Sequence, residues 1–458
     1  MLVVQRERMY DQNQQRTGGK DQIMYTETEL VRVARRENNN KRKYLVVNRL
    51  QGKHIPVKPC EALAMFRALA DLVKGRSERE KLLVIGFAET ATAVGAAVAA
   101  ELEADYMQTT REQISGVEYL YFSEEHSHAT EQKLVKDDID NVIDTIERIV
   151  FVEDEVTTGR TILNIINILK QRYSQEIKYS VASILNGMDE TALDTYRGQD
   201  IELFWLVKTD HAAYTEIAET YRGDGSYIVC KNNTASENRE SVHNLPQNDT
   251  RVIYQSGENA AKNDISVTKR SEHRATEYDT HVIENHGKNT SENDAGCPMP
   301  YSAEHISSVE HIKINKHMDT RRIVNSAEYA EYCSSLYQEL VSQVDFGSVQ
   351  NMLVLGTEEY MYPALCAASR FEAQGKDVRF HATTRSPIAV STEDSYPLHT
   401  RYEINSLYDS GRTTYIYDLQ KYDTVVIFTD AKSDIGEGLR SLIRALQLCG
   451  NDRIILVH

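Results

Sequence analysis

The sequence lacks paired cysteines, a membrane-length apolar run and a leader-like N-terminus, and each absence removes a class of protein. Its 6 cysteines stand singly at positions 60, 230, 297, 333, 366 and 449 with no Cys-x-x-Cys pair, which excludes a disulfide framework and a cysteine-based zinc site. No run approaches the ~20 apolar residues of a spanning helix. The longest candidate, Val94 to Ala100, is a weak alanine-rich piece. Met1 to Lys20 is rich in Gln and Arg and has no apolar core of secretory type, so the expectation is a cytoplasmic protein with no membrane partner. Positive charge is scarce as well. Lys and Arg number 52 against 69 Asp and Glu, a net charge of -17, which argues against nucleic acid as the main partner. The exception is residues 1–60, with 13 Lys or Arg against 6 Asp or Glu, and such a basic arm reads as a solubilising tail.

What is present points to several domains. A chain of 458 residues exceeds the size of one ordinary domain, and 41% apolar with 26% charged residues and a mean hydropathy of -0.50 supplies cores while leaving room for a disordered stretch. Short apolar strands (Tyr44 to Leu50, Leu82 to Phe87, Tyr106 to Thr109, Tyr119 to Phe122, Ile149 to Val152, Tyr179 to Leu185, Ile201 to Val207) alternate with helical segments such as Glu61 to Lys74. That alternation predicts an α/β fold built on a mostly parallel, doubly wound sheet. From Gly223 to about Thr320 the pattern collapses into Asn, Ser, Glu, Lys and His, as in a disordered linker or insertion. Order returns with a helix over Ser326 to Val344 and further strands at Met352 to Gly356, Val378 to His381, Thr424 to Thr429 and Arg453 to Val457. The expected division is a flexible basic tail over 1–39, an α/β domain over 40–222, a polar linker over 223–322 and a second α/β domain over 323–458.

One loop carries the chemistry. Ile149-Val150-Phe151-Val152 delivers Glu153 and Asp154 to the carboxyl end of a strand, where α/β sheets bind ligands. Thr157, Thr158, Gly159, Arg160 and Thr161 follow and open a helix. That turn offers backbone N–H groups, hydroxyls and the positive helix end to a phosphate. The carboxylates suit a sugar diol. Together the two pieces grip a ribose 5-phosphate by both ends.

This arrangement resembles the loop of type I phosphoribosyltransferases that binds phosphoribosyl pyrophosphate (PRPP), in which an acidic pair precedes a Thr-Thr-Gly-x-Thr phosphate loop. The resemblance implies that Glu153 and Asp154 hold the ribose hydroxyls and Thr157 to Thr161 the 5-phosphate. Thr157 stands where purine-salvage members have an Asp base, which favours the orotate-type pattern and leaves the general base unidentified. Ala88, Glu89 and Thr90 occupy the place of the pyrophosphate loop, and Arg111, closing Thr109-Thr110-Arg111, suits a bidentate contact to pyrophosphate. His126 and His128, in the region of the family's closing loop, suit proton transfer or leaving-group contact. The same two residues are too few ligands to establish a metal site. Gly52-Lys53-His54-Ile55-Pro56 falls in the hood-like segment that reaches the nucleobase or phosphate. Mg2+ is the implied cofactor, held mainly by PRPP itself, and a homodimer is compatible with the family.

The second half echoes the first. Leu83-Val84-Ile85-Gly86 with Glu89 recurs as Leu353-Val354-Leu355-Gly356 with Glu359, Thr109-Thr110-Arg111 recurs as Thr383-Thr384-Arg385, and Asp154 is matched by Asp430. The Gly-to-Arg separations are 25 and 29 residues and the Arg-to-Asp separations 43 and 45, as expected of a diverged relative that has lost the Thr-Thr-Gly-x-Thr loop. Thr384, Arg385 and Ser386 form a candidate anion site. Thr384-Arg385-Ser386-Pro387 is also the signature of the TRSP domain, which follows an orotate-type transferase domain in bacterial proteins associated with tellurite-resistance and stress gene clusters. The expected function is transfer of ribose 5-phosphate from PRPP to a base-like acceptor in biosynthesis of a nucleotide-like small molecule. The alternative is a non-catalytic PRPP- or nucleotide-sensing regulator on the same fold.

Overall fold

Leu82 to Ile85 and Ile149 to Val152 show no polar alternation, and such continuous apolar runs suit strands covered on both faces. They form the centre of the first of two parallel sheets in the computed structural model, which describes residues 25–37, 42–77, 80–122, 132–173, 176–231, 309–431 and 436–458. The N-terminal unit comprises β1 (Val31–Arg35), β2 (Tyr44–Asn48), helix α1 (Pro59–Ser77), β3 (Leu82–Gly86), α2 (Thr92–Leu102), β4 (Asp105–Gln108), β5 (Tyr119–Phe122), β6 (Gln132–Val135), β7 (Arg148–Val156), α3 (Arg160–Arg172), β8 (Lys178–Asn186) and β9 (Ile201–Lys208). Beyond it come β10 (Ser226–Val229), β11 (Glu310–Ile312), β12 (Val324–Asn325), α4 (Ser326–Gln343), β13 (Asn351–Gly356), α5 (Tyr362–Ala373), β14 (Asp377–Ala382), β15 (Thr400–Asn405), β16 (Thr413–Tyr417), β17 (Thr424–Phe428), α6 (Glu437–Leu448) and β18 (Ile454–Val457).

The first sheet runs β12-β4-β3-β7-β8-β9 and the second β11-β18-β17-β13-β14. Read in the same direction, the second contains β14-β13-β17-β18, the order of β4-β3-β7-β8 in the first. In both units an antiparallel hairpin, β5–β6 or β15–β16, is inserted between the second and third of these strands in chain order. The echo seen in the sequence is therefore an echo of topology. The second unit repeats the strand order of the first.

The two units interlock through their leader segments. Val324 and Asn325, just ahead of α4, pair antiparallel with Tyr106 and Asp105 of β4, while Val57, just ahead of α1, bridges Phe380 of β14. Each unit thus extends the outer edge of the other's sheet, which covers two edges that would otherwise be open to pairing. Gly52 makes the approach feasible. Its φ is +81°, and an added Cβ would stand 2.4 Å from the Phe380 ring. Phe66, Phe371, Phe380 and Phe428 belong to one continuous buried core that spans both units.

Three expected boundaries move. The basic tail expected over 1–39 contributes β1, whose five residues pair with β2 and whose Ala34 is fully buried. Its basic residues disguised a short strand: Arg32 donates to the carbonyls of Thr28 and Val31, and Arg35 to that of Tyr221. Both ends of the stretch expected as a linker over 223–322 are also ordered. β10 pairs with β15 and β11 with β18, and strands of four and three residues amid polar sequence carry too little period to be read. The middle of that stretch, residues 232–308, lies outside the described residues.

Because the core is shared, both units should unfold together. Scanning calorimetry of the full chain is expected to show one transition, and Phe380→Ala, which empties a fully buried ring site, is expected to lower that single transition by about 3–5 kcal/mol of stability. Two separated transitions would contradict the interlocked core.

Candidate active site

β7 is buried from Arg148 through Val152 and then emerges, leaving Glu153, Asp154 and Glu155 only partly covered at its carboxyl end. The Asp154 amide lies 3.4 Å from Glu153 Oε1. Among the described residues neither Glu153 nor Asp154 has a lysine, arginine or histidine partner. Burial, reinforced by the neighbouring Asp154, pushes the Glu153 carboxyl well above its ordinary range. Burial pushes the Asp154 carboxyl up as well, with the Glu155 charge adding to it. Two adjacent acids of this kind are short of hydrogen-bond donors or positive charge, which a sugar diol or a cation supplies.

The turn that follows places Gly159 at the N-cap of α3 with φ +69°. A Cβ there would lie 2.5 Å from the Tyr196 hydroxyl and 2.6 Å from Met188 Cε, and the same hydroxyl donates to the Gly159 carbonyl at 2.7 Å. Only glycine fits. α3 is anchored by buried Ile162, Ile165, Ile166 and Leu169, which fixes the direction of its first turn beside partly exposed Thr157 and Thr161, and the Arg160 amide lies 3.4 Å from Thr158 Oγ1. Thr158 and Arg160 are exposed. This gathers all five residues of the expected phosphate loop one turn away from the acidic pair.

Ala88, Glu89 and Thr90 lie at the carboxyl end of β3, beside β7. The Phe87 amide donates to Val152 O at 3.0 Å and the Ala88 amide to Thr109 Oγ1 at 2.8 Å, Gln51 Nε2 donates to Thr90 O at 2.7 Å, and the peptide between Ala88 and Glu89 is cis. Arg111 ends the next strand. Its amide donates to Glu359 Oε1 at 3.1 Å, its Nε is buried without a hydrogen-bond partner, and among the described residues its guanidinium has no carboxylate partner. Burial, with the repulsion of Arg385 behind it, pulls the Arg111 guanidinium below its ordinary value, as expected of a cation held ready for an anion. His126 and His128 lie outside the described residues.

Two expectations change. Lys53, expected in a hood over the base or phosphate, is 1% exposed in the junction between the units. There it pairs with Glu89 at 2.7 Å and donates to the carbonyls of Glu358 and Thr383. Arg385, expected with Thr384 and Ser386 as an anion site, is already surrounded by the protein's own acids: Glu112 at 2.6 Å, Glu358 at 2.7 Å, Glu89 at 3.0 Å and Glu359 at 3.3 Å. Thr384 is buried and bridges Tyr415, and its Oγ1 accepts from the Ser386 amide. The three residues form a built turn whose charge is spent internally. Burial works against the ionised Glu89, but Lys53 and Arg385 outweigh it and hold the carboxyl at about 2.

The sequence reading missed a second cluster on the other side of the acidic pair. Arg42 clasps Glu155 with contacts of 2.6 and 2.8 Å and lies over the Tyr44 ring. His211, just past β9, accepts or donates at 2.9 Å to Tyr44 Oη and at 2.7 Å to Thr209 Oγ1 and stacks on Tyr214. Burial pulls the His211 imidazole below its usual value. The only sequence signal was an acidic residue following the acidic pair, and its partners lie 113 residues before it and 56 after it.

Comparison with known proteins follows the same division. Residues 30–213 match the family described as phosphoribosyl transferase, and residues 322–446 match the TRSP domain described as C-terminal to it. No curated protein matches the chain. Similar solved structures include an adenine phosphoribosyltransferase from Rhodothermus marinus at 15% identity, covering 40% of this chain and 96% of that one with a TM-score of 0.30. Another, from Thermoanaerobacter pseudethanolicus, has 16% identity, covers 40% and 97%, and has a TM-score of 0.28. A third, from Giardia lamblia in complex with 9-deazaadenine, has 15% identity, covers 40% and 95%, and has a TM-score of 0.28. The N-terminal unit is thus a phosphoribosyltransferase, a pentosyl-transferring enzyme, and the chain belongs to the family in which a phosphoribosyl transferase domain is followed by a TRSP domain.

Proposed function

We propose that the N-terminal unit transfers the 5-phosphoribosyl group of PRPP to a nitrogen of a base-like small molecule and releases pyrophosphate, in the biosynthesis of a nucleotide-like compound. The observation that carries this is the uncompensated pair Glu153–Asp154 one turn from the glycine-capped N-terminus of α3. A ribose 5-phosphate spans such a pair and such a turn: its two hydroxyls donate to the carboxylates, and its phosphate takes the backbone N–H groups of the turn and the hydroxyls of Thr157, Thr158 and Thr161. Pyrophosphate then falls towards Ala88, Glu89, Thr90 and the unpaired guanidinium of Arg111.

In the reaction the acceptor nitrogen forms a bond to C1 of the ribose as the bond from C1 to the pyrophosphate oxygen breaks. The electron pair leaves with pyrophosphate, and a proton leaves the acceptor. The passing oxocarbenium character calls for positioning and charge placement rather than covalent help. Glu153 and Asp154 fix the sugar and place negative charge beside it, and Arg111 meets charge accumulating on the leaving group. Mg2+, when bound with PRPP, supplies positive charge to the pyrophosphate oxygens. Glu153 and Asp154 are hard oxygen donors of the kind it takes, and their want of a cation partner fits them for it.

Asp154→Asn is expected to lower pyrophosphate release from PRPP, assayed with Mg2+ and a panel of nucleobases, on the order of 100-fold. Wild-type protein that neither binds nor consumes PRPP would overturn the reading. The same substitution has an opposite effect on stability. A carboxyl whose folded-state pKa is raised favours the folded state only while protonated, so stability is lost as pH rises from the ordinary carboxyl range through the raised value. Asp154→Asn and Glu153→Gln are therefore expected to melt higher than wild type at pH 7.5 without ligand, with the difference shrinking towards pH 4. Thermal melts at the two pH values check this.

Gly159→Ala forces a side chain into a left-handed position against Tyr196. It is expected to weaken PRPP binding by about tenfold or more and to cost at least ~1 kcal/mol of stability. Titration calorimetry with PRPP and Mg2+ measures the first and thermal melting the second.

A further inference from the structure

The two units dock with their carboxyl-end loops reciprocally engaged. The Arg385 amide donates to Glu89 Oε1 at 3.1 Å and the Arg111 amide donates to Glu359 Oε1 at 3.1 Å, so each unit's Gly-x-x-Glu loop holds the other unit's Thr-Thr-Arg turn. The symmetry stops at the guanidinium groups. That of Arg111 has no carboxylate partner among the described residues, whereas that of Arg385 reaches back into the N-terminal unit and touches two of its pieces. It contacts Glu89 in the loop after β3 at 3.0 Å and Glu112, the residue after Arg111, at 2.6 Å. One planar cation therefore spans the mouth between the pyrophosphate loop and the strand end that carries Arg111.

We infer that Arg385 of the C-terminal unit is a positioning residue for the pyrophosphate subsite of the N-terminal unit, setting the separation between the Ala88–Thr90 loop and Arg111. The inference rests on the proposed function, which gives those elements the pyrophosphate. Arg385 meets both oxygens of Glu89, its amide donating to Oε1 at 3.1 Å and its Nε forming an ion pair with Oε2 at 3.0 Å, and a carboxylate engaged at both oxygens resists rotation as one engaged at a single oxygen does not. Glu358 and Glu359 hold the same guanidinium from behind at 2.7 and 3.3 Å, and Arg385 is 11% exposed, so it does not swing out to meet a ligand. Lys53 holds Glu89 from the opposite side while its ammonium rests on the carbonyls of Glu358 and Thr383. The C-terminal unit thus supplies the mould in which the loop sits without itself touching the substrate.

The test uses the full chain with three probes in the presence of Mg2+: PRPP, inorganic pyrophosphate and ribose 5-phosphate, each titrated calorimetrically. Arg385→Met keeps the reach of the side chain and removes the fork. Because that variant removes one of the two cations that each of four carboxylates meets, Arg385→Met with Glu358→Gln provides a second version with less uncompensated charge, and circular dichroism establishes that it folds. Affinity for PRPP and for pyrophosphate is expected to fall about 10- to 100-fold while that for ribose 5-phosphate stays within about twofold, since misplacement by an ångström is enough for such losses at one subsite. Unchanged binding of PRPP and pyrophosphate by the folded double variant overturns the inference. Equal loss of all three probes overturns it too, by showing a general structural defect. Wild-type protein that binds none of the three sinks the proposed function itself, an outcome separate from the other two.

Discussion

Buried charge is the constraint that fixes how this molecule is put together. Lys53, Glu358 and Glu359 have side chains at 1%, 1% and 0% exposure, and removing such groups from water costs several kcal/mol each unless partners are in place. The return on that outlay is specificity of docking. A displacement of one unit against the other by a few ångström would leave Glu89 and Glu112 without Arg385, and Lys53 without the carbonyls of Glu358 and Thr383. Apolar contacts alone tolerate sliding far better. Within the junction Lys53 and Arg385 outweigh burial and hold the Glu89 carboxyl at about 2, whereas burial pushes the Glu358 carboxyl up.

At the same junction the Thr-Thr-Arg turns of the two units, alike in backbone, differ in charge. The Ala88 amide donates to Thr109 Oγ1 at 2.8 Å, and in the second unit the Glu358 amide donates to Thr383 Oγ1 at 3.0 Å. Thr110 bridges Lys133 just as Thr384 bridges Tyr415. These matching bonds put Glu358 in the place of Ala88. A small apolar residue in the first unit leaves room and an unpaired arginine, whereas a carboxylate in the second fills the room and neutralises the arginine, with Arg412 at 2.9 Å and the Ser406 hydroxyl completing its shell. Glu358 thus joins Glu89, Glu112 and Glu359 in holding Arg385 as a brace between the units. Asp430, the counterpart of Asp154, shows the same change, paired with Arg321 at 2.5 Å and accepting from Tyr408 Oη at 2.7 Å.

Much of this was legible because the informative elements are local. A strand such as Ile149 to Val152 followed by two acids and a hydroxyl-rich turn announces its place in a sheet and its carboxyl end from thirteen consecutive residues. The repeat was legible for the same reason, since a glycine, a glutamate and a Thr-Thr-Arg recur at near-equal separations. What stayed hidden depends on partners far apart in the chain. Nothing near Arg385 hints at Glu89, 296 residues away, so a conserved-looking basic turn reads as an anion site until the fold surrounds it with acids. β1 and β10 were hidden differently: strands of five and four residues carry too few periods to outweigh arginine, serine or tyrosine within them.

The treatment of acidic residues separates structure from chemistry in a chain of net charge -17. Glu89, Glu358, Glu359 and Asp430 each lie against lysine or arginine, and Glu155 is clasped by Arg42. Glu153 and Asp154 alone among these acids have no lysine or arginine partner among the described residues, and burial pushes both carboxyls up at the end of β7. Moving Arg42 one residue along the strand would relieve them and stabilise the fold, at the expense of the hydrogen-bond acceptors and negative charge that a ribose or a divalent cation needs. A folded chain retains unpaired, partly buried acids at a strand end only where something outside the chain completes them. On the proposed function, the acidic pair is the part of the molecule whose geometry the substrate finishes, and the interlocked second unit is the part that holds the remainder of the site in place.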